Sequence, residues 1–244
     1  MSLENAKYAW IMTRDQSPTL WSHQTGEAFR SVRGAFTEAW TVFVRPALTN
    51  FLSRQLHRPL VVGEFGLGAG TNWFFWAIAT QYLGLDSKYI TIEKDLDAFQ
   101  FALPRWQSMS GEVREKIKTD LDKMRALYSL TPSQEIDFSL SEPLVFESLD
   151  AYLLNSKNVS KCDVWFHDPF GFDVNPEGYS VETLEKCSTL WNPEGCWGGS
   201  FACNKKFQES LNKVIGVEAR VVESGHELLK RDRLEFYFCS KGAP

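Results

Sequence analysis

Histidine and cysteine are scarce in this 244-residue chain, four of the first and five of the second. The histidines have no metal-pair spacing and no two cysteines form a C-x-x-C pair, so no metal centre is expected. The cysteine count is odd, which makes a disulfide framework a poor reading. Cys162, Cys187, Cys196, Cys203 and Cys239 read as reduced thiols in or near the core of a cytoplasmic protein. No apolar run approaches the ~20 residues of a membrane-spanning helix. Met1 to Lys7 lack the apolar centre of a secretory signal. Positive charge is in deficit, with 26 Lys and Arg against 31 Asp and Glu and a net charge of −5. That excludes a surface coated in basic residues and leaves room for a local basic face. No internal repeat interrupts the chain. At 43% hydrophobic and 14% aromatic it can bury a substantial core, so one α/β body with additions is expected.

What is present is one organising stretch, Leu60-Val61-Val62-Gly63-Glu64-Phe65-Gly66-Leu67-Gly68-Ala69-Gly70-Thr71-Asn72. A short apolar run reads as a buried strand. Gly66, Gly68 and Gly70 follow at alternate positions, and an apolar helix begins behind them. Strand, glycine turn and helix together form the first ligand-binding turn of an open α/β sheet. A P-loop would place Lys after its last glycine, whereas Thr71 and Asn72 stand here. The spacing also departs from the G-x-G-x-x-G of dinucleotide sites. Glu64 at the strand end would repel a pyrophosphate and suit a cation. S-adenosylmethionine carries an ammonium and a sulfonium and no phosphate, so it is the expected cofactor; a nicotinamide enzyme is disfavoured by the same residues.

The remaining chain supports an open sheet. Residues 1–58 read as an N-terminal extension packed on a core domain of residues 59–244. In it, Phe36, Trp40, Phe43 and Val44 recur at helical spacing ahead of Pro46, and Glu38 on that helix is expected to be a solvated carboxylate. Tyr89–Ile92 reads as a second strand. Glu93 at its end sits where nucleotide folds place an acid for ribose hydroxyls, with Lys94 beside it. Residues 95–132 read as helical, and 136–140 and 144–148 as strands; the polar end of the latter, Glu147-Ser148, would lie near an adenine. Asp163-Val164-Trp165-Phe166-His167-Asp168 is an apolar strand ending in an acid before Pro169. At the carboxyl end of a central strand Asp168 would meet substrate, with His167 on the opposite side. A helix capped by Ser180, a strand over 196–202 weakened by Gly198-Gly199, a helix over 207–214 and a closing antiparallel pair over 219–223 and 234–239 follow. Lys230, Arg231 and Arg233 form the clearest basic patch, suited to phosphate contacts.

In combination these stretches resemble the MnmC methyltransferase family. Ser17-Pro18-Thr19-Leu20-Trp21-Ser22, Gly34-Ala35 with Glu38-Ala39, Glu64 through Asn72, Ile92-Glu93-Lys94, Asp163 to Asp168, Asn175-Pro176-Glu177 and Lys230 to Arg233 follow the family's order. Two stretches depart from it. Pro169 to Val174 replaces the family's G-F-A-P-A-K, and Ser148 stands where an Asp is usual. The resemblance implies a class I, Rossmann-like methyltransferase sheet, mostly parallel with an antiparallel edge strand. It implies S-adenosylmethionine held by Glu64, Gly66, Gly68, Gly70, Asn72, Glu93, Lys94, Glu147 and Ser148. Asp168 would be catalytic, with Trp21, Phe170, Lys230, Arg231 and Arg233 binding substrate. The implied reaction methylates the aminomethyl group of the wobble uridine of tRNA. The flavin oxidase domain of fused relatives has no counterpart in the stretches matched, so separate enzymes would supply the aminomethyl substrate. The alternatives are another RNA base, a small amine, or a cofactor-binding module without catalysis.

Overall fold

A computed structural model describes residues 6–55, 58–130, 142–155, 160–223, 226–227 and 232–240. The apolar strand ahead of the glycines is β4 (Leu60–Phe65). It lies between two parallel neighbours, β5 (Ser87–Ile92) and β7 (Val164–His167). A strand covered on both faces needs a near-continuous apolar run, and β4 and β7 have one. β6 (Leu144–Phe146) pairs with β5, and β8 (Cys196–Ser200) with β7, both in parallel. β10 (Arg233–Phe238) runs antiparallel to β8 and to β9 (Val217–Val222). The order is therefore β6-β5-β4-β7-β8-β10-β9, mostly parallel, with the reversed strand one place in from β9. The strand expected over 136–140 lies outside the described residues.

Alternating side chains split the core across the sheet. Val62, Val164 and Phe166 pack on one side with α3 (Thr71–Leu83) and α4 (Asp97–Leu127). Val61, Trp165 and Phe236 pack on the other, with α6 (Val181–Ser188) and α7 (Lys205–Leu211); α5 (Leu149–Asn155) contributes Tyr152 there. Ser180 caps α6, its hydroxyl accepting from the Thr183 N–H at 3.2 Å.

The N-terminal residues form a small antiparallel sheet of β1 (Tyr8–Met12), β2 (Pro18–Ser22) and β3 (Glu27–Ala28). Next come α1 (Ala35–Glu38), a π-helical turn (Ala39–Val44) and α2 (Arg45–Ser53). Asp15 ties the sheet to this helix, accepting from the Thr37 N–H at 2.9 Å and its hydroxyl at 2.7 Å. The expected one-faced helix and solvated Glu38 are corrected here. Residues 35–44 are buried on every side rather than along one stripe, Glu38 included. The helix also continues past Pro46, which falls in the first turn after the π-helical segment, where a missing N–H costs little.

Gly198 was expected to weaken its strand, yet packing requires it. A Cβ there would sit 2.1 Å from the Phe236 ring of β10. Gly198→Ala is expected to lower unfolding free energy by about 1–3 kcal/mol, the usual cost of overpacking a filled core, as read by urea denaturation.

Candidate active site

The chain leaves β4 at Phe65 and turns through Gly66, Gly68 and Gly70, with φ of 92°, 54° and 75°. Only glycine adopts this left-handed backbone without strain. Space makes the same demand. A Cβ on Gly66 would lie 2.7 Å from the Asp168 carbonyl oxygen, and one on Gly70 2.6 Å from the Phe99 ring. The loop therefore sits directly against the end of β7, where Asp168 emerges.

Asn72, in the first turn of α3, joins the two acids. Its amide donates to Glu64 Oε1 at 2.9 Å and to Asp168 Oδ2 at 3.0 Å. Tyr89 on β5 donates its hydroxyl to Glu64 Oε2 at 2.9 Å. Glu64 is 0% exposed, whereas the Asp168 side chain keeps 16% of its surface. Asp168 thus keeps one edge towards solvent at the carboxyl ends of the strands, and Glu64 is enclosed behind it. Asn72 Oδ1 is buried with no hydrogen-bond partner.

One cation meets these acids. Arg30, just after β3, is buried and pairs with Asp168 and with Glu38 at 3.1 Å. The Phe43 ring lies 5.3 Å from its guanidinium. Glu38 also accepts from the Ser31 N–H at 3.0 Å. Burial pushes Glu64 up to about 8, and the Asp168 charge beside it adds to the shift. Burial pushes Asp168 up to about 7 against the opposing pull of Arg30. Desolvation of a carboxylate wins over a single neighbouring guanidinium here. His167 stacks between Phe65 and Phe207, and burial drives it down to about 3, so it is neutral.

The other candidates fall around this centre unevenly. Glu93 reaches the loop, accepting from the Gly68 N–H at 3.0 Å, and Lys94 beside it is exposed. Ser148 accepts from the Ala151 N–H at 3.1 Å at the start of α5, and Glu147 is exposed. The Phe170 ring packs 5.0 Å from Phe29, which itself covers Gly68. Trp21 is half-buried in the small sheet, opposite Ala9 and Ala28. Arg233 belongs to a separate cluster: Glu235 holds its guanidinium at 2.8 and 2.9 Å, lining a groove of about 510 Å³ with Arg45, Tyr128 and Tyr237. Lys230 and Arg231 lie outside the described residues. Sequence reasoning missed Arg30, Tyr89 and Phe29. A lone Arg in a loop carries no signal, and Tyr89 read only as strand.

These groups fit S-adenosylmethionine. Carboxyl groups able to give up protons to a cation suit its two cationic centres, the glycine turn admits a ligand close to backbone, and Asn72 Oδ1 is free to accept an N–H. Among the described residues no cluster of three or more His, Cys, Asp and Glu could hold a metal ion. Nor is any described helix long and apolar enough to cross a membrane.

Comparison with known proteins agrees. Residues 111–225 match a family described as S-adenosyl-L-methionine-dependent methyltransferase. MnmC2 from Aquifex aeolicus superposes with a TM-score of 0.63 at 21% identity, covering 99% of this chain and 73% of that one. Human methyltransferase-like protein 13 in complex with SAH gives 0.46 at 13% identity, over 85% and 83%. Magnesium protoporphyrin IX methyltransferase from Synechocystis PCC 6803 with bound SAM gives 0.44 at 11%, over 84% and 80%. No curated protein sequence matches the chain. The fold is that of class I methyltransferases, and the family matched over residues 111–225 is described as S-adenosyl-L-methionine-dependent.

The raised Glu64 makes a testable demand on stability. A carboxyl group that ionises near pH 8 when folded and near ~4.3 when unfolded stabilises the fold at low pH. That contribution is lost as pH rises from about 5 through about 8. The melting temperature of the cofactor-free protein is expected to fall across this window. Glu64→Gln, which cannot ionise, should flatten the fall; parallel curves for the two proteins would contradict the assignment.

Proposed function

We propose that this chain, which has the fold of class I methyltransferases and matches a family described as S-adenosyl-L-methionine-dependent methyltransferase over residues 111–225, methylates the aminomethyl group on the wobble uridine of tRNA. The observation that carries this reading is the Asn72 amide shared by Glu64 and Asp168, with Asp168 alone turned to the cleft. The tRNA acceptor follows from the MnmC resemblance of the sequence motifs.

The cofactor supplies a methyl group on a sulfonium, already activated for displacement. Asn72 Oδ1 would accept from its ammonium, Glu93 would meet its ribose hydroxyls, and the glycine turn would let it approach the backbone. Glu64 would set the negative field of the site from behind Asn72. What remains for the protein is to position the nucleophile and to handle its proton.

Asp168 does both. Its exposed edge accepts an N–H of the amine and aims the lone pair. As an amine displaces the methyl group from the sulfonium, the Asp168 carboxylate would offset the positive charge growing on nitrogen. The amine must be neutral to attack. Moving a proton from an ammonium of ~10.4 to an ordinary carboxylate of ~3.9 would cost about 9 kcal/mol. With Asp168 lifted to about 7, the same transfer costs about 5 kcal/mol. Burial therefore lets one side chain take the ammonium proton, pass it from its exposed edge to water, and as the regenerated carboxylate orient the neutral amine. Phe170 would flank the uracil ring, held from behind by Phe29.

The test uses tRNA bearing aminomethyluridine, with methylated nucleoside read by mass spectrometry. Wild-type protein should form the product. Asp168→Ala should cut kcat by about 10²–10³ and leave cofactor affinity by calorimetry within a few-fold. Methylation of free amines but not of this tRNA would replace the acceptor, and full turnover by Asp168→Ala would remove the assignment.

A further inference from the structure

We propose that Arg30 is a positioning residue for methyl transfer: clamped between Glu38 and Asp168, it holds the Asp168 carboxylate in one orientation at the cleft. The inference rests on the function proposed above and adds a residue from the N-terminal layer to it.

The geometry is specific. Arg30 gives one nitrogen, Nη1, to both Asp168 and Glu38, so the Asp168 oxygen it touches is fixed relative to α1. That same oxygen, Oδ2, also accepts from Asn72. One carboxylate oxygen is thus held from two directions, and Oδ1 is the oxygen left to receive a substrate N–H. Glu38 is in turn anchored by the Ser31 N–H, and α1 by Asp15 through Thr37. Phe29, adjacent to Arg30, covers Gly68 and touches Phe170. Two consecutive residues thereby place the N-terminal layer on both the acid and the cofactor turn.

Charge points the same way. The ionisable groups facing Asp168 are Arg30, Glu38 on α1, Glu64 on β4, Tyr89 on β5 and Tyr179. Three carboxylates meet one guanidinium. Removing the guanidinium should make Asp168 harder to ionise, and removing Glu38 should make it easier. Damage to the fold would not produce shifts of opposite sign.

The test follows three variants by 13C NMR titration of the Asp168 carboxyl in cofactor-free protein and by the pH profile of methyl transfer. Glu38→Gln should move the Asp168 titration and the acid limb of the profile down by about 1 unit. Arg30→Gln should move both up by about 1 unit or more and lower kcat roughly 10–100-fold. KM for the cofactor should stay within about threefold, because the lost interaction orients the acceptor. Arg30→Lys, which keeps charge but loses the planar fork, should restore the titration and only part of kcat. If Arg30→Gln does not fold, the double variant with Glu38→Gln removes both members of the fully buried Arg30–Glu38 pair together and takes its place; it should keep the loss of kcat. Folded variants with the wild-type titration and kcat would overturn the proposal. Wild-type protein inert towards the tRNA would overturn the function alone, because the NMR titration reads Arg30 without turnover.

Discussion

A single side-chain amide, Asn72 Nδ2, donates to both carboxylates of the cleft. Two acids this close repel one another, and Glu64 has lost all of its hydration and Asp168 most of it. The arrangement persists because the two are met by donors: Asn72 for both, Tyr89 for Glu64 and Arg30 for Asp168. Those donors come from α3, from β5 and from the segment after β3, so the cleft is a junction of three parts of the chain. Asn72 can serve it only if α3 starts where it does, immediately after the turn at Gly70. The glycines are therefore as important for placing Asn72 as for admitting a ligand.

The sheet explains why these groups converge. β4 and β7 are parallel neighbours, with Phe65 opposite His167, so the residues leaving them emerge side by side. Gly66 and Asp168 then press together closely enough that no side chain fits between them. This is the crevice outside the carboxyl ends of parallel strands, where open α/β sheets take their ligands. The N-terminal layer closes it from above. Phe29 covers Gly68, and Arg30 reaches beneath to Asp168. The part of the chain outside the main sheet thus supplies Arg30, the one cation in contact with these acids among the described residues.

Much of this was legible in sequence, for a physical reason in each case. The apolar runs of β4 and β7 mark strands covered on both faces, and a polar residue at the end of such a run must face something other than core. Glu64, Asp168 and the glycines were visible on that ground. Ser180 declared itself as a cap by preceding a helix with a free hydroxyl. Glu38 was misread because helical periodicity says which face is apolar, not whether a second layer will cover the polar face. Its partner Arg30 lies eight positions earlier in a segment without periodicity, so no local pattern linked the two. Gly198 was read as a weak point because its requirement, the Phe236 ring, arrives from a strand formed much later in the chain. Pairings across the sheet and across layers are what a linear pattern does not encode.

The balance of charge in the cleft also argues for the kind of ligand it selects. Were Glu38, Glu64 and Asp168 all ionised against Arg30, the site would carry an excess of two negative charges. A phosphate-bearing nucleotide would add to that excess in a place with little water to screen it. A ligand with a sulfonium and an ammonium relieves it. The weakened acidities of Glu64 and Asp168 describe the same balance without a cation, since protons are held where positive charge is wanted. A cation entering the cleft would displace protons, leaving Asp168 ionised when an amine has to be held. The burial that makes the cofactor-free site strained in charge thus prepares it for a cationic methyl donor and a basic acceptor.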